Sequence, residues 1–170
     1  MKDTEKSTSP ATLKRLLASS VLYMAFALIA AVVAISTNRL AAPGGASSGL
    51  PVVEDFLVGR GTAMSPPLYW LIAQAILTVL ATKPQRRGTV GVAGLAIFGL
   101  LSGIGALMEP LVLEIFNPAT FDLLAAVLEI GIIVLPFVMM VFGIREWQRR
   151  RWVAKQGCKP VQSSEQILQP

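Results

Sequence analysis

Residues 15–39 read RLLASSVLYMAFALIAAVVAISTNR. No charge falls between Arg15 and Arg39, and Leu16 to Ile35 is almost wholly apolar. A helix needs roughly 20 apolar residues to cross about 30 Å of hydrocarbon. This stretch meets that need, and it is longer than the roughly 7–15 residues of a cleaved signal core. It therefore predicts an uncleaved membrane span, and it sets the rule for reading the rest of the chain.

The rule repeats three times. Arg60 and Lys83 bracket a second uncharged stretch, apolar from Pro67 to Ala81. Arg87 and Glu109 bracket a third, Gly88 to Met108. The fourth lies between Asp122 and Arg145 and contains one charge, Glu129. The second is the shortest. It has a start signal in Ser65 as N-cap with Pro66 at the first helical position, where a missing N–H costs nothing. Tyr69 and Trp70 are expected at the headgroup boundary.

The predicted fold is all-α, a polytopic bundle of four transmembrane helices at 16–36, 66–82, 89–108 and 122–144. The predicted connections are an N-terminal tail (1–15), an external loop (37–65), a cytoplasmic loop (83–88), an external loop (109–121) and a basic tail (145–170) whose end is disordered. Within the first external loop, 41–49 is rich in Gly, Ala and Ser. Segment 50–58 has two readings: an extended loop, or a short interfacial helix started by Pro51, with Val52, Val53, Phe56 and Leu57 on one side and Glu54 and Asp55 on the other. In the second, Pro110 and Pro118 bracket a short apolar turn.

Composition agrees with the span pattern. The 170 residues are 54% hydrophobic and 15% charged, against about 25% charged in soluble domains. A soluble bundle would need a polar stripe on each helix, and these stretches barely have one. The net charge of +5 suggests nucleic acid only superficially, because the basic residues flank apolar runs and form no patch with interleaved aromatics. Their placement instead orients the chain. Lys2, Lys6, Lys14 and Arg15 precede the first span; Lys83, Arg86 and Arg87 join the second to the third; Arg145, Arg149, Arg150, Arg151, Lys155 and Lys159 follow the fourth. That is 13 of the 15 basic residues on one side, with only Arg39 and Arg60 on the other. Positive charge marks the cytoplasmic side, so both termini are expected there. The Ala- and Gly-rich style and short loops suggest a bacterial inner membrane.

Membrane helices pack through small residues. Ala27, Ala30, Ala31 and Ala34 share one face of the first span, and Gly99 and Gly103 form a GxxxG in the third. The two readings are a dimer face and packing within the bundle, and the second is favoured. Pro136 is expected to kink the fourth span.

Glu129 is the one ionisable group well inside a span, a position that is costly in lipid and usually faces the bundle interior. At a rise of about 1.5 Å per residue, Glu129, Gln74 and Ser102 fall at one depth, roughly 10 Å from the external side. They are predicted to form a polar cluster, read either as a binding site for a proton or cation or as a hydrogen-bonded clasp. The segment Arg145-Glu-Trp-Gln-Arg-Arg-Arg-Trp152 is expected to anchor on anionic headgroups through Arg145, Arg149, Arg150, Arg151, Trp147 and Trp152.

Enzymatic readings find no support. There is no histidine and one cysteine, Cys158, and the chain lacks HExxH and P-loop motifs. No catalytic, cofactor-binding or metal-binding residue is expected, and no cofactor. No resemblance to a known family is carried by these motifs. Two functions remain: a non-enzymatic structural or accessory membrane component, and a small transporter or channel using a protonatable Glu129. The expected partners are the bilayer and its anionic headgroups. A homo-oligomer or a membrane-protein partner stays open.

Overall fold

The computed structural model describes residues 11–42, 48–109 and 122–157. The described residues form five helices and no strand: α1 (Ala11–Ser36), α2 (Val52–Val58), α3 (Leu68–Ala81), α4 (Gln85–Leu107) and α5 (Leu123–Gly157). The expected turn at 110–121, the centre of the Gly/Ala/Ser-rich loop at 43–47 and the tail end beyond 157 lie outside them. Three helices, α1, α4 and α5, are long and apolar enough to cross a membrane.

α3 is shorter than expected, at 14 residues, or about 21 Å. It begins at Leu68 rather than Pro66. The reason is local: Pro67 pushes the residue before it out of helical geometry, so Pro66 cannot be the first turn. Pro67 itself is extended (φ −64°, ψ 155°) and takes the cap position. The Ser65 hydroxyl donates to the Pro66 carbonyl at 3.2 Å instead of capping the helix.

The missing length is replaced by a buried loop. Gly61 to Ser65 are all buried, and Met64 is in the core with Tyr23, Ala27, Ala30, Leu71, Leu128 and Ile132. Thr62 and Ser65 close a tight turn by reciprocal backbone bonds of 2.8 and 3.3 Å. Gly61 takes φ +102°, and an added Cβ would meet the backbone of Ser65 to Pro67. Only glycine fits there.

α1, α3, α4 and α5 run alternately up and down. α5 packs against both α1 and α4, and α3 against α4. Small residues set these contacts. Ala27, Ala30, Ala31 and Ala34 are at most 2% exposed, and Gly131 of α5 faces the Phe26 ring. A Cβ on Gly99 would strike the Pro136 carbonyl, and one on Gly103 would lie 2.8 Å from the Phe137 ring. The GxxxG face is thus occupied within the chain. α5 continues through Pro136 as one helix.

The distribution of polarity is inverted relative to a water-soluble bundle. Ser19, Ser20, Gln74, Ser102 and Glu129 are buried, while Val21, Leu28, Ile29, Val32, Ile76, Ile97 and Ile130 are exposed. α2 follows the same inversion and corrects the expected amphipathic split. Asp55 is buried, and Val53, Leu57 and Val58 are exposed. Asp55 accepts from the Ser48 hydroxyl and the Arg60 amide, each at 2.7 Å. Its carbonyl accepts from the amides of Gly59 and Gly61. The carboxylate is therefore the staple of the loop, which is why it turns inward.

The segment after Ile144 is helical through Gly157 rather than a loose tail. Glu146 explains this. It is fully buried and receives Arg149 and Arg150, at i+3 and i+4, at 2.7 and 2.9 Å.

Candidate functional site

The three polar residues expected to cluster are all buried, but they do not bond to one another. Gln74 is drawn to α1. Its amide donates to the Ser20 hydroxyl at 2.9 Å and the Ser20 carbonyl at 3.2 Å, and sits 3.7 Å from the Met139 sulfur. Ser20 in turn shares a hydrogen bond of 2.8 Å with Thr78. This layer lies between two apolar clusters, one around Tyr23, Met64 and Ile132 and one around Leu16, Leu95 and Met139. Ser102 instead accepts from the Trp70 indole at 2.9 Å. That bond draws Trp70 inward, where its ring packs on Phe98 with centroids 4.4 Å apart. Only Tyr69 of the expected aromatic pair is largely exposed.

Gln74 Oε1 has no hydrogen-bond partner among the described residues, and Glu129 repeats that situation with a group that can ionise. It is 1% exposed, and among the described residues its Oε2 has no hydrogen-bond partner. It stands on the wall of a cavity of about 330 Å³. Ser102, Tyr23, Trp70 and Ile132 share that wall, and the buried turn from Thr62 to Pro67 forms another side. Glu109 and Arg60 also line it. Gln74 is not part of the lining. The volume is in the range of small-molecule sites, which are mostly apolar with a few convergent polar groups.

Leaving a carboxylate buried and unpaired costs several kcal/mol. Such a group is stable with a proton on it or a cation against it, and exchange between the two is the chemistry the cavity offers. Glu109 holds a second acid at the rim. Burial pushes its carboxyl above the ordinary value, the Ala42 amide opposes this by donating to it at 3.2 Å, and the Asp55 charge adds to the rise. Among the described residues no group of three or more His, Cys, Asp or Glu stands close enough to hold a metal ion.

At the opposite end of the bundle the buried carboxylate is fully partnered. Glu146 Oε2 accepts from the Thr12 hydroxyl at 2.7 Å and from Arg149 Nε at 2.8 Å. Arg150 reaches on to the Ala81 carbonyl at 3.0 Å, which satisfies the end of α3. One carboxylate thereby ties α1, α3 and α5. The guanidinium of Arg151 lies 3.9 Å from the Trp147 ring centroid. Of the expected headgroup anchors, Arg149 and Arg150 pair with Glu146 and Arg151 stacks on Trp147, while Arg145, Arg149, Arg151 and Trp152 are all exposed.

Several residues escaped the sequence reading. Ser20 and Tyr23 look like ordinary members of an apolar span, and their partners come from other helices. Glu146 had a visible signal in its i+3 and i+4 arginines, although nothing local indicated that it would be buried.

Fold and site together describe an all-helical protein with three helices fit to cross a membrane and a cavity that ends on a buried, unpartnered carboxyl. No protein-family model matches the chain, and neither a curated protein nor a solved structure matches it.

Proposed function

We propose that this chain is an integral protein of the bacterial inner membrane that crosses the bilayer four times and works as a small carrier or channel around Glu129. Both termini then lie in the cytoplasm. The fourth crossing is α3 together with the buried turn at 61–67. Irregular backbone at membrane depth is tolerated where protein covers it or a cavity is lined by it, and both hold for this turn. The charge split across the loops supports the orientation. A reporter fused after Arg87 is expected to be active only on the cytoplasmic side, and external activity would overturn the threading.

The observation that carries the function is the unpartnered Oε2 of Glu129 on the cavity wall. A purely structural role, as an accessory component of the membrane, would be served by a dry, fully hydrogen-bonded group. Gln74 Oε1 is likewise buried without a partner among the described residues, but Gln74 cannot ionise, its amide nitrogen is bonded across to α1, and it does not line the cavity. No enzymatic activity is proposed.

The test is covalent labelling by an apolar carbodiimide, dicyclohexylcarbodiimide, on the intact protein in lipid. A protonated carboxyl adds to the reagent and rearranges to a stable N-acylurea, so the peptide holding Glu129 gains the mass of one reagent molecule. Glu129 is expected to be labelled, and Glu146, held by Thr12 and two arginines, to be spared. A folded protein in which Glu129 remains unlabelled would return the chain to the structural class.

A further inference from the structure

The cavity is open on one side of the bundle. At the basic end α3 and α4 touch closely: a Cβ on Gly91 would collide with the backbone of Leu80 and Ala81, and one on Gly94 would lie 2.5 Å from a Leu77 methyl. Toward the other end Trp70 of α3 still bonds to Ser102 of α4, and one turn beyond it the surface of α4 is open. A Cβ on Gly105 would meet nothing within 4 Å. Gly105, Tyr69 and Leu101 all line the cavity, yet Tyr69 and Leu101 are 53% and 50% exposed, and Gly105 is exposed as well. The surface around this gap is aliphatic, with Ile72, Ile104 and Leu107 exposed. The cavity therefore faces the apolar belt through a fissure between α3 and α4.

Its lining also specifies a charge and a shape. Glu129 at the wall and Glu109 at the rim are acids, and Arg60 is the one basic residue among the lining side chains. Tyr23, Tyr69 and Trp70 present three aromatic rings, which attract cations over their faces. Much of the remaining wall is Ala63, Met64, Leu101 and Ile132, which cannot replace the water shell of a bare metal ion. A cation that carries its own apolar coat needs no such replacement.

We propose that the cavity takes a monovalent organic cation with an apolar body, an amine or quaternary ammonium, which sits with its charge against Glu129 and arrives sideways from the lipid between α3 and α4. This rests on the reading of Glu129 as a ligand-bearing group and names the class of ligand.

The probes are phenyltrimethylammonium, its neutral isostere tert-butylbenzene, and benzenesulfonate. They are added to the full chain in lipid nanodiscs, in a Trp147→Phe, Trp152→Phe background where Trp70 alone reports by fluorescence. Phenyltrimethylammonium is expected to bind saturably, and benzenesulfonate not to bind. Glu129→Gln is expected to weaken the cation at least 10-fold and leave tert-butylbenzene unchanged, whereas Glu129→Asp keeps part of the cation affinity and so separates charge from misfolding. Gly105→Leu, which fills the fissure without touching the core, is expected to slow cation association several-fold. Equal binding of the cation and its neutral isostere, or indifference to Glu129→Gln, would overturn the ligand class, and unchanged association in Gly105→Leu would overturn the side route. If the carbodiimide labels Glu129 but phenyltrimethylammonium does not bind, this inference falls while the carrier reading stands.

Discussion

Glu146 and Glu129 lie on the same helix and are 0% and 1% exposed. At the basic end, Glu146 is surrounded by Thr12, Arg149 and Arg150 and joins the ends of α1 and α3 to α5. At the other end, Glu129 keeps one oxygen unpartnered beside a cavity. Burial is thus not what separates a structural carboxylate from an available one. The separation comes from whether the neighbouring elements supply donors. Thr12 and the arginines follow from a polar, basic segment where the helices leave the apolar belt. Glu129 shares its cavity wall with Tyr23, Trp70 and Ser102, but the Trp70 indole is taken by Ser102 and no donor is turned to Glu129 Oε2 among the described residues.

The sharpest way to break this contrast is the same substitution at both sites. Glu146→Gln weakens the charge-assisted bonds from Thr12, Arg149 and the partly buried Arg150 and is expected to cost about 3 kcal/mol, read as a large drop in the melting temperature in detergent. Glu129→Gln replaces a carboxyl that, with a proton on it, has neither charge nor partner to lose, so its stability is expected to stay within about 0.5 kcal/mol of the parent. Equal losses at the two sites would mean that Glu129 is clasped after all.

A second pair of substitutions probes the same contrast through the backbone and has a smaller expected effect. Gly91→Leu forces α4 away from the end of α3 and is expected to cost about 2 kcal/mol by overpacking. Gly105→Leu meets open space and removes a helical glycine, so it is expected to be neutral or to stabilise by up to about 1 kcal/mol. Thermal melting of both variants in one detergent checks this. A Gly105→Leu variant as unstable as Gly91→Leu would mean that the fissure is filled in the folded protein.

Much of the fold was legible because a membrane span is a local property. The stretch from Arg15 to Arg39 declares itself by length and lack of charge, with no reference to the rest of the chain. The small-residue faces at Ala27 and Gly99 were legible for the same reason, since close backbone approach needs them wherever the partner lies. Errors arose where a neighbour overrode the local signal. Pro67 moved the start of α3, Glu146 extended α5, and the loop amides turned Asp55 inward.

The candidate site divides along the same line. The sequence alone determined that Glu129 would be the ionisable group within a span, because hydrophobic run and charge position are both written along the chain. It also placed Gln74 and Ser102 at a matching depth. Depth is one coordinate, and hydrogen bonding needs three. Only the tertiary structure decided that Gln74 turns to Ser20, that Trp70 takes Ser102, and that Glu129 is left facing a cavity. Helix rotation and the open surface of α4 beside α3 depend on how side chains on different helices interlock, and no single stretch of the chain specifies that.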